Sequence, residues 1–237
     1  MSLPIIETPT YRVNIPSTNE QIEMRPFLVK EEKILLMAQE SDNDEEMKNA
    51  TAQILSNCVL TEGVDFYSLP LFDIEYLFLQ LRAKSVGEIA DPYITCPECS
   101  IPIELQIDLS KIKVKFPKDH TNEIKLNDEG TMGIVLKYPT IDTAIDYSED
   151  NNSIDSAMNM LICAIESIYT DEEVFDARDH TKEELLEFVE NLNSTQFESV
   201  LNFYRTMPSV EHLEKCKCAN CGHETSINIR GLKDFFT

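Results

Sequence analysis

Two cysteine pairs, Cys96-Pro97-Glu98-Cys99 and Cys218-Ala219-Asn220-Cys221, carry the sharpest chemical signal in this chain of 237 residues. Each is a C-x2-C turn, short enough to aim two sulfurs at one ion. Each leads into an alternating stretch, Ser100–Asp108 after the first pair and Gly222–Arg230 after the second. Four thiolates suit a tetrahedral metal site with no open position, and their softness favours Zn²⁺, with iron second. Gly222 supplies the permissive backbone that such a turn often needs. The 118 residues between the pairs far exceed the spacing of one continuous ribbon. The expected arrangement is therefore a split four-cysteine zinc ribbon, in which strands from residues 93–116 and 210–230 meet and the segment between them is looped out.

Other readings of the same residues are cysteines packed without metal and a redox C-x-x-C, which lacks the βαβ context it needs. Cys216 and His223 are second-choice ligands. Cys58 and Cys163 sit alone in apolar, helix-like segments and read as buried thiols. No phosphate-binding, dinucleotide-binding, nucleophile-elbow or H-E-x-x-H motif is present. His120, His180, His212 and His223 are dispersed, so no catalytic set is expected and the protein reads as non-enzymatic.

Net charge excludes further classes. With 43 acidic and 20 basic residues the chain carries −23, and its pI is about 4.4. A main role in gripping a nucleic acid backbone or an anionic membrane needs the opposite sign. No apolar run reaches a membrane span of about 18 residues, and the N-terminus lacks the basic and apolar regions of a secretory signal. A cytoplasmic location follows as the expectation. Residues 140–199 hold 16 acidic side chains against Arg178 and Lys182, a local net of −14. That stretch is either a solvated face or a docking surface for a basic partner.

The elements that must position the cysteines follow from periodicity. Residues 1–20 read as an extended arm with a strand at Tyr11–Ile15, and 22–27 as a second strand. A helix is expected from Val29 to Glu40, another from Asp44 to a stop at Gly63, and a third over Leu71–Ser85. The third is apolar almost all round, which suits either a buried core helix or a docking face. Period-two alternation at Ile101, Ile103, Leu105, Ile107 and Leu109, and again at Ile112, Val114 and Phe116, marks strands, with more at 124–126 and 132–138. Helices return over 140–147 and 153–169, then after capping boxes at Thr181/Glu184 and Thr195/Glu198. The fold class is α+β. Its expected parts are an arm at 1–20, a helical region at 21–88, a small antiparallel β region at 89–138 plus 208–237 bearing the ribbon, and an acidic helical insertion at 139–207.

The blocks from Arg25-Pro26-Phe27-Leu28 to Met37-Ala38 and from Leu69-Pro70-Leu71-Phe72 to Val86-Gly87-Glu88, with Ile107-Asp108-Leu109-Ser110 and Leu136-Lys137-Tyr138-Pro139, resemble the baseplate hub and hub-assembly proteins of T-even-type contractile-tailed bacteriophages. The resemblance implies a structural or chaperone-like assembly role, with other baseplate hub or tail proteins as partners. It implies the host cytoplasm during assembly and the virion tail baseplate as locations. It brings no catalytic residues. The competing classes are a zinc-ribbon regulator contacting transcription machinery, which the charge disfavours, and a metalloenzyme, which needs an open coordination position.

Overall fold

The computed structural model describes residues 6–41, 43–145 and 154–230. The chain divides into two compact units, Met1–Lys115 with Ser209–Thr237, and Phe116–Pro208. The first unit opens with an antiparallel hairpin of β1 (Tyr11–Asn14) and β2 (Gln21–Met24). The expected arm thus contributes a paired strand, while residues 1–5 lie outside the described residues. Three helices follow: α1 (Val29–Ser41), α2 (Asp44–Cys58) and α3 (Leu71–Ser85). The Asn43 side chain caps α2 by accepting from the Glu45 and Glu46 amides. The helix ends at Cys58, not at Gly63, because Val59 turns extended and bridges Met24 of the hairpin.

Helix α3 buries Phe72, Ile74, Leu77, Phe78, Leu79 and Leu81. Its apolar surplus is therefore core, and the docking face that its composition allowed is not there. Two carboxylates are fully buried with it. Glu31 pairs with Arg25 at 3.0 Å and accepts from the Leu28 amide. Burial alone would raise its pKa, but Arg25 and that amide outweigh burial and hold it below the usual carboxylate value. Asp73 accepts from both the amide and the hydroxyl of Ser17, which clips the hairpin turn to α3.

After α3 come β3 (Ile89–Ala90), β4 (Tyr93–Thr95), β5 (Pro102–Glu104), β6 (Ile107–Asp108) and β7 (Val114–Lys115). The single strand expected over 101–109 is broken in two. Strand β5 pairs with β4 and β6 with β3, because the facing segment is interrupted by Asp91-Pro92 and Pro92 has no amide to donate. The alternation is still obeyed: Ile103, Leu105, Ile107 and Leu109 are buried with Leu79 and Ala83 of α3, and only Ile101 stays out, 42% exposed.

The second unit contains β8 (Glu123–Lys125), β9 (Gly133–Leu136), α4 (Ile141–Ile145), α5 (Ile154–Ala164), β10 (Ile165–Tyr169), β11 (Val174–Asp176), α6 (Lys182–Glu190) and α7 (Ser194–Thr206). Its antiparallel sheet runs in the order β11-β10-β9-β8. Two expectations change here. Residues 165–169 are a strand, not the end of a helix: Ile165, Ile168 and Tyr169 are β-branched or aromatic, Ile165 pairs with Leu136 of β9, and Ile168 and Tyr169 gain partners on both edges. Strands β8 and β9 pair within this unit, which starts at Phe116 and is mixed rather than all-helical. The capping box at Thr181/Glu184 is present, whereas the next forms at Asn193/Gln196, two residues before Thr195/Glu198. Residues 146–153 lie outside the described residues. Returning to the first unit, β12 (Ser209–Lys217) and β13 (Glu224–Arg230) complete a sheet of order β13-β12-β7.

Glu75 of α3 is half-buried, and burial pushes its carboxyl up to about 7. Between the ordinary glutamate value and about 7 the folded state binds this proton and the unfolded state does not, so stability falls as pH rises through that window. Glu75→Gln is expected to raise unfolding free energy by about 2 kcal/mol at pH 8 and to flatten that fall. Urea denaturation of both proteins from pH 4.5 to 8 checks it.

Candidate metal centre

Each cysteine pair sits on the same backbone turn. In the first, which follows β4, the Cys96 amide donates to the Ile101 carbonyl at 3.0 Å and the Ser100 amide to the Cys96 carbonyl at 2.9 Å. In the second, between β12 and β13, the Cys218 amide donates to the His223 carbonyl at 2.9 Å and the Gly222 amide to the Cys218 carbonyl at 2.9 Å. The residue after each second cysteine is left-handed, Ser100 at φ 58° and Gly222 at φ 75°. Glycine takes that conformation freely, whereas for an L-residue it costs roughly 1–2 kcal/mol. Ser100 is the supporting residue that composition did not reveal. Its position, matching Gly222 in the other turn, is the signal that could have found it.

These two turns bring all four Sγ atoms within 4.8 Å of one another. Cys96 and Cys221 are 3.7 Å apart, and Cys99 and Cys218 are 3.6 Å apart. A tetrahedron with Zn–S bonds of about 2.3 Å has edges of about 3.8 Å, so the donor set fits such an ion. Cys96 and Cys218 are buried against the core formed by Leu79, Ile103, Leu105 and Val210, Cys99 is half-buried, and Cys221 is exposed. The Cys221 and Asn220 amides stabilise a thiolate at Cys218, drawing its pKa down to about 6. At Cys221 the His223 amide pulls the same way. Desolvation and hydrogen bonds to the other three thiols win, and push it up to about 12.

Other sequence candidates stay outside this group. Cys216 lies two residues earlier on β12 with its thiol 3.7 Å from the Thr225 carbonyl, and His223 contributes its backbone carbonyl. Cys58 is buried 3.6 Å from an Arg25 nitrogen, and burial pushes its thiol up to about 11, which suits an inert thiol. Cys163 is half-buried in the second unit. His120 bridges Thr206 and Tyr138 at 3.0 Å each, and His212 contacts Glu214 at 2.8 Å. Among the described residues, no other group of histidine, cysteine and acidic side chains gathers as a metal site, and no helix is long and apolar enough to cross a membrane.

Comparison of the whole chain with known proteins gives two matches. The family described as "T4 bacteriophage base plate protein" matches residues 8–237. The baseplate hub assembly protein gp26 of Enterobacteria phage T4 is 25% identical over 229 residues, covering 95% of this chain and 97% of that protein. No solved structure matches.

A Cβ added at Gly222 would meet nothing within 4 Å, so any penalty there comes from the left-handed backbone alone. Gly222→Ala is expected to lower unfolding free energy by about 1 kcal/mol, and Gly222→Asn by less, because asparagine tolerates this conformation. Urea midpoints of the metal-loaded proteins measure both.

Proposed function

Because this chain belongs to the family of T4 bacteriophage base plate proteins, we propose that it is a non-enzymatic structural or chaperone-like factor in baseplate hub assembly. It works through contacts with other hub or tail proteins, in the host cytoplasm while the tail is built and at the virion baseplate. The observation that carries this reading is a family match spanning nearly the whole chain, supported by the name of the T4 relative.

The same reading assigns one structural Zn²⁺ to Cys96, Cys99, Cys218 and Cys221, making the region around β4, β5, β12 and β13 a split zinc ribbon. When bound, the metal supplies cross-linking and charge neutralisation. Four sulfur ligands fill a tetrahedral zinc and leave no position for a substrate or an activated water, which is why the centre supports a fold and not a reaction. The strongly acidic stretch over 140–199 favours a partner surface of basic character, and its effect belongs mainly in the association rate. The overall charge of −23 speaks against direct nucleic acid contact.

Purified protein is expected to hold close to one zinc per chain. Cys99→Ser and Cys221→Ser should lose it, whereas Cys58→Ser should keep it. Structural zinc contributes on the order of 10 kcal/mol to folding, so a chelator should sharply raise amide exchange in β4, β5 and β12. A metal-free wild type with full exchange protection would sink the assignment. For the assembly role, affinity capture from infected cells is expected to recover baseplate hub or tail proteins. Recovery of polymerase subunits in their place would favour the regulator.

A further inference from the structure

We propose, resting on the zinc assignment above, that the four-cysteine centre is a redox-convertible clasp: hydrogen peroxide turns it into two disulfides, Cys96 to Cys221 and Cys99 to Cys218, which keep its two turns joined after the metal has left. Two close sulfur contacts, Cys96 to Cys221 at 3.7 Å and Cys99 to Cys218 at 3.6 Å, each run from one turn to the other. A disulfide is about 2.05 Å long, so side-chain rotation must draw each pair together by about 1.6 Å.

Exposure sets the order of attack. Cys221 is the one exposed residue among the seven cysteines. Cys96 and Cys218 are buried, and Cys99 is half-buried. A groove of about 540 Å³, lined by Pro102, Ile103, Lys217, Cys218 and Asn220, opens beside the second turn and leaves a molecule as small as peroxide a path. The other nearby thiols are otherwise engaged. Cys216 keeps its sulfur on the Thr225 carbonyl at 3.7 Å, and Cys58 is buried beside Arg25.

The Cys221 thiolate attacks one peroxide oxygen, the O–O bond breaks and hydroxide leaves, which makes a sulfenic acid at Cys221. The Cys96 thiolate then attacks that sulfur. The S–S bond forms, the S–O bond breaks and a second hydroxide leaves. The two sulfurs together give up two electrons, and one peroxide takes them. With two of its four donors gone, the centre no longer holds its ion. A second peroxide joins Cys99 to Cys218 by the same steps. The two disulfides span 125 and 119 residues of sequence, so the long-range cross-link that the metal supplied survives its loss. In the reducing cytoplasm the clasp is a metal, and in an oxidising exterior, where disulfides persist, it is covalent. A factor built in one compartment and carried into the other keeps its first unit closed in both.

Treating the zinc-loaded, full-length protein with hydrogen peroxide tests this. A chromogenic indicator follows zinc release, peptide mapping without reductant reads the sulfur pairing, and amide exchange follows β4, β5 and β12. The expected result is full zinc release, peptides joined through Cys96 with Cys221 and through Cys99 with Cys218, and exchange at least about tenfold slower than in the chelated, reduced protein. Dithiothreitol with added zinc is expected to restore the original centre, and Cys58→Ser to leave all three readouts unchanged. Pairing within a turn, Cys96 with Cys99 or Cys218 with Cys221, overturns the proposal. So does a sulfinic acid at Cys221 without a disulfide, or zinc retained under excess peroxide. Those outcomes leave the zinc assignment standing, because metal content is measured before oxidation. Protein purified without zinc contradicts that assignment, and the same peptide map then still decides the pairing.

Discussion

Four sulfur atoms from two turns 118 residues apart in sequence must occupy a space less than 5 Å across, and the first unit is arranged around that constraint. Closing a loop of this length costs about 4–5 kcal/mol of chain entropy. Weak S–H···S contacts among exposed and buried thiols cannot offset that. A divalent cation can, because structural zinc contributes roughly 10–16 kcal/mol and neutralises thiolates that otherwise repel one another. In the proposed zinc-bound state the metal works as a long-range cross-link, and the short strands β4 and β5 need not hold the ribbon together by their own few hydrogen bonds.

Helix α3 forms the floor beneath this arrangement. Leu79 and Ala83 pack against Ile103, Leu105 and the buried Cys96 and Cys218, so the metal turns rest on the core and do not project from it. On its other sides α3 buries Phe72, Ile74 and Phe78 and receives the Ser17 turn through Asp73. Helix α3 therefore turns its apolar surface inward, whereas α1 leaves Val29, Leu36 and Met37 exposed.

Much of this was legible in the sequence because the signals were local. A C-x2-C followed by alternating residues specifies a turn and a strand, and the Thr181/Glu184 box marks a helix start by side-chain chemistry alone. The boundaries that failed were those set by distant partners. Ile165–Tyr169 continues a helical apolar stripe and becomes a strand only because β9 and β11 flank it. Helix α2 stops at Cys58 because Val59 is wanted by Met24, thirty-five residues earlier. Strands 124–126 and 132–138 read as ribbon because nothing local distinguishes one antiparallel strand from another. Whether the four cysteines converge depended on the path of the whole intervening chain, which spacing alone does not determine.

Extended X-ray absorption fine structure at the zinc edge of the purified protein tests the central claim most directly. The account predicts a single shell of four sulfur scatterers at about 2.3 Å, with no light-atom shell near 2.0 Å. A fit requiring a nitrogen or oxygen ligand in place of any sulfur would contradict a closed four-cysteine centre. It would reopen the coordination position on which a catalytic reading depends.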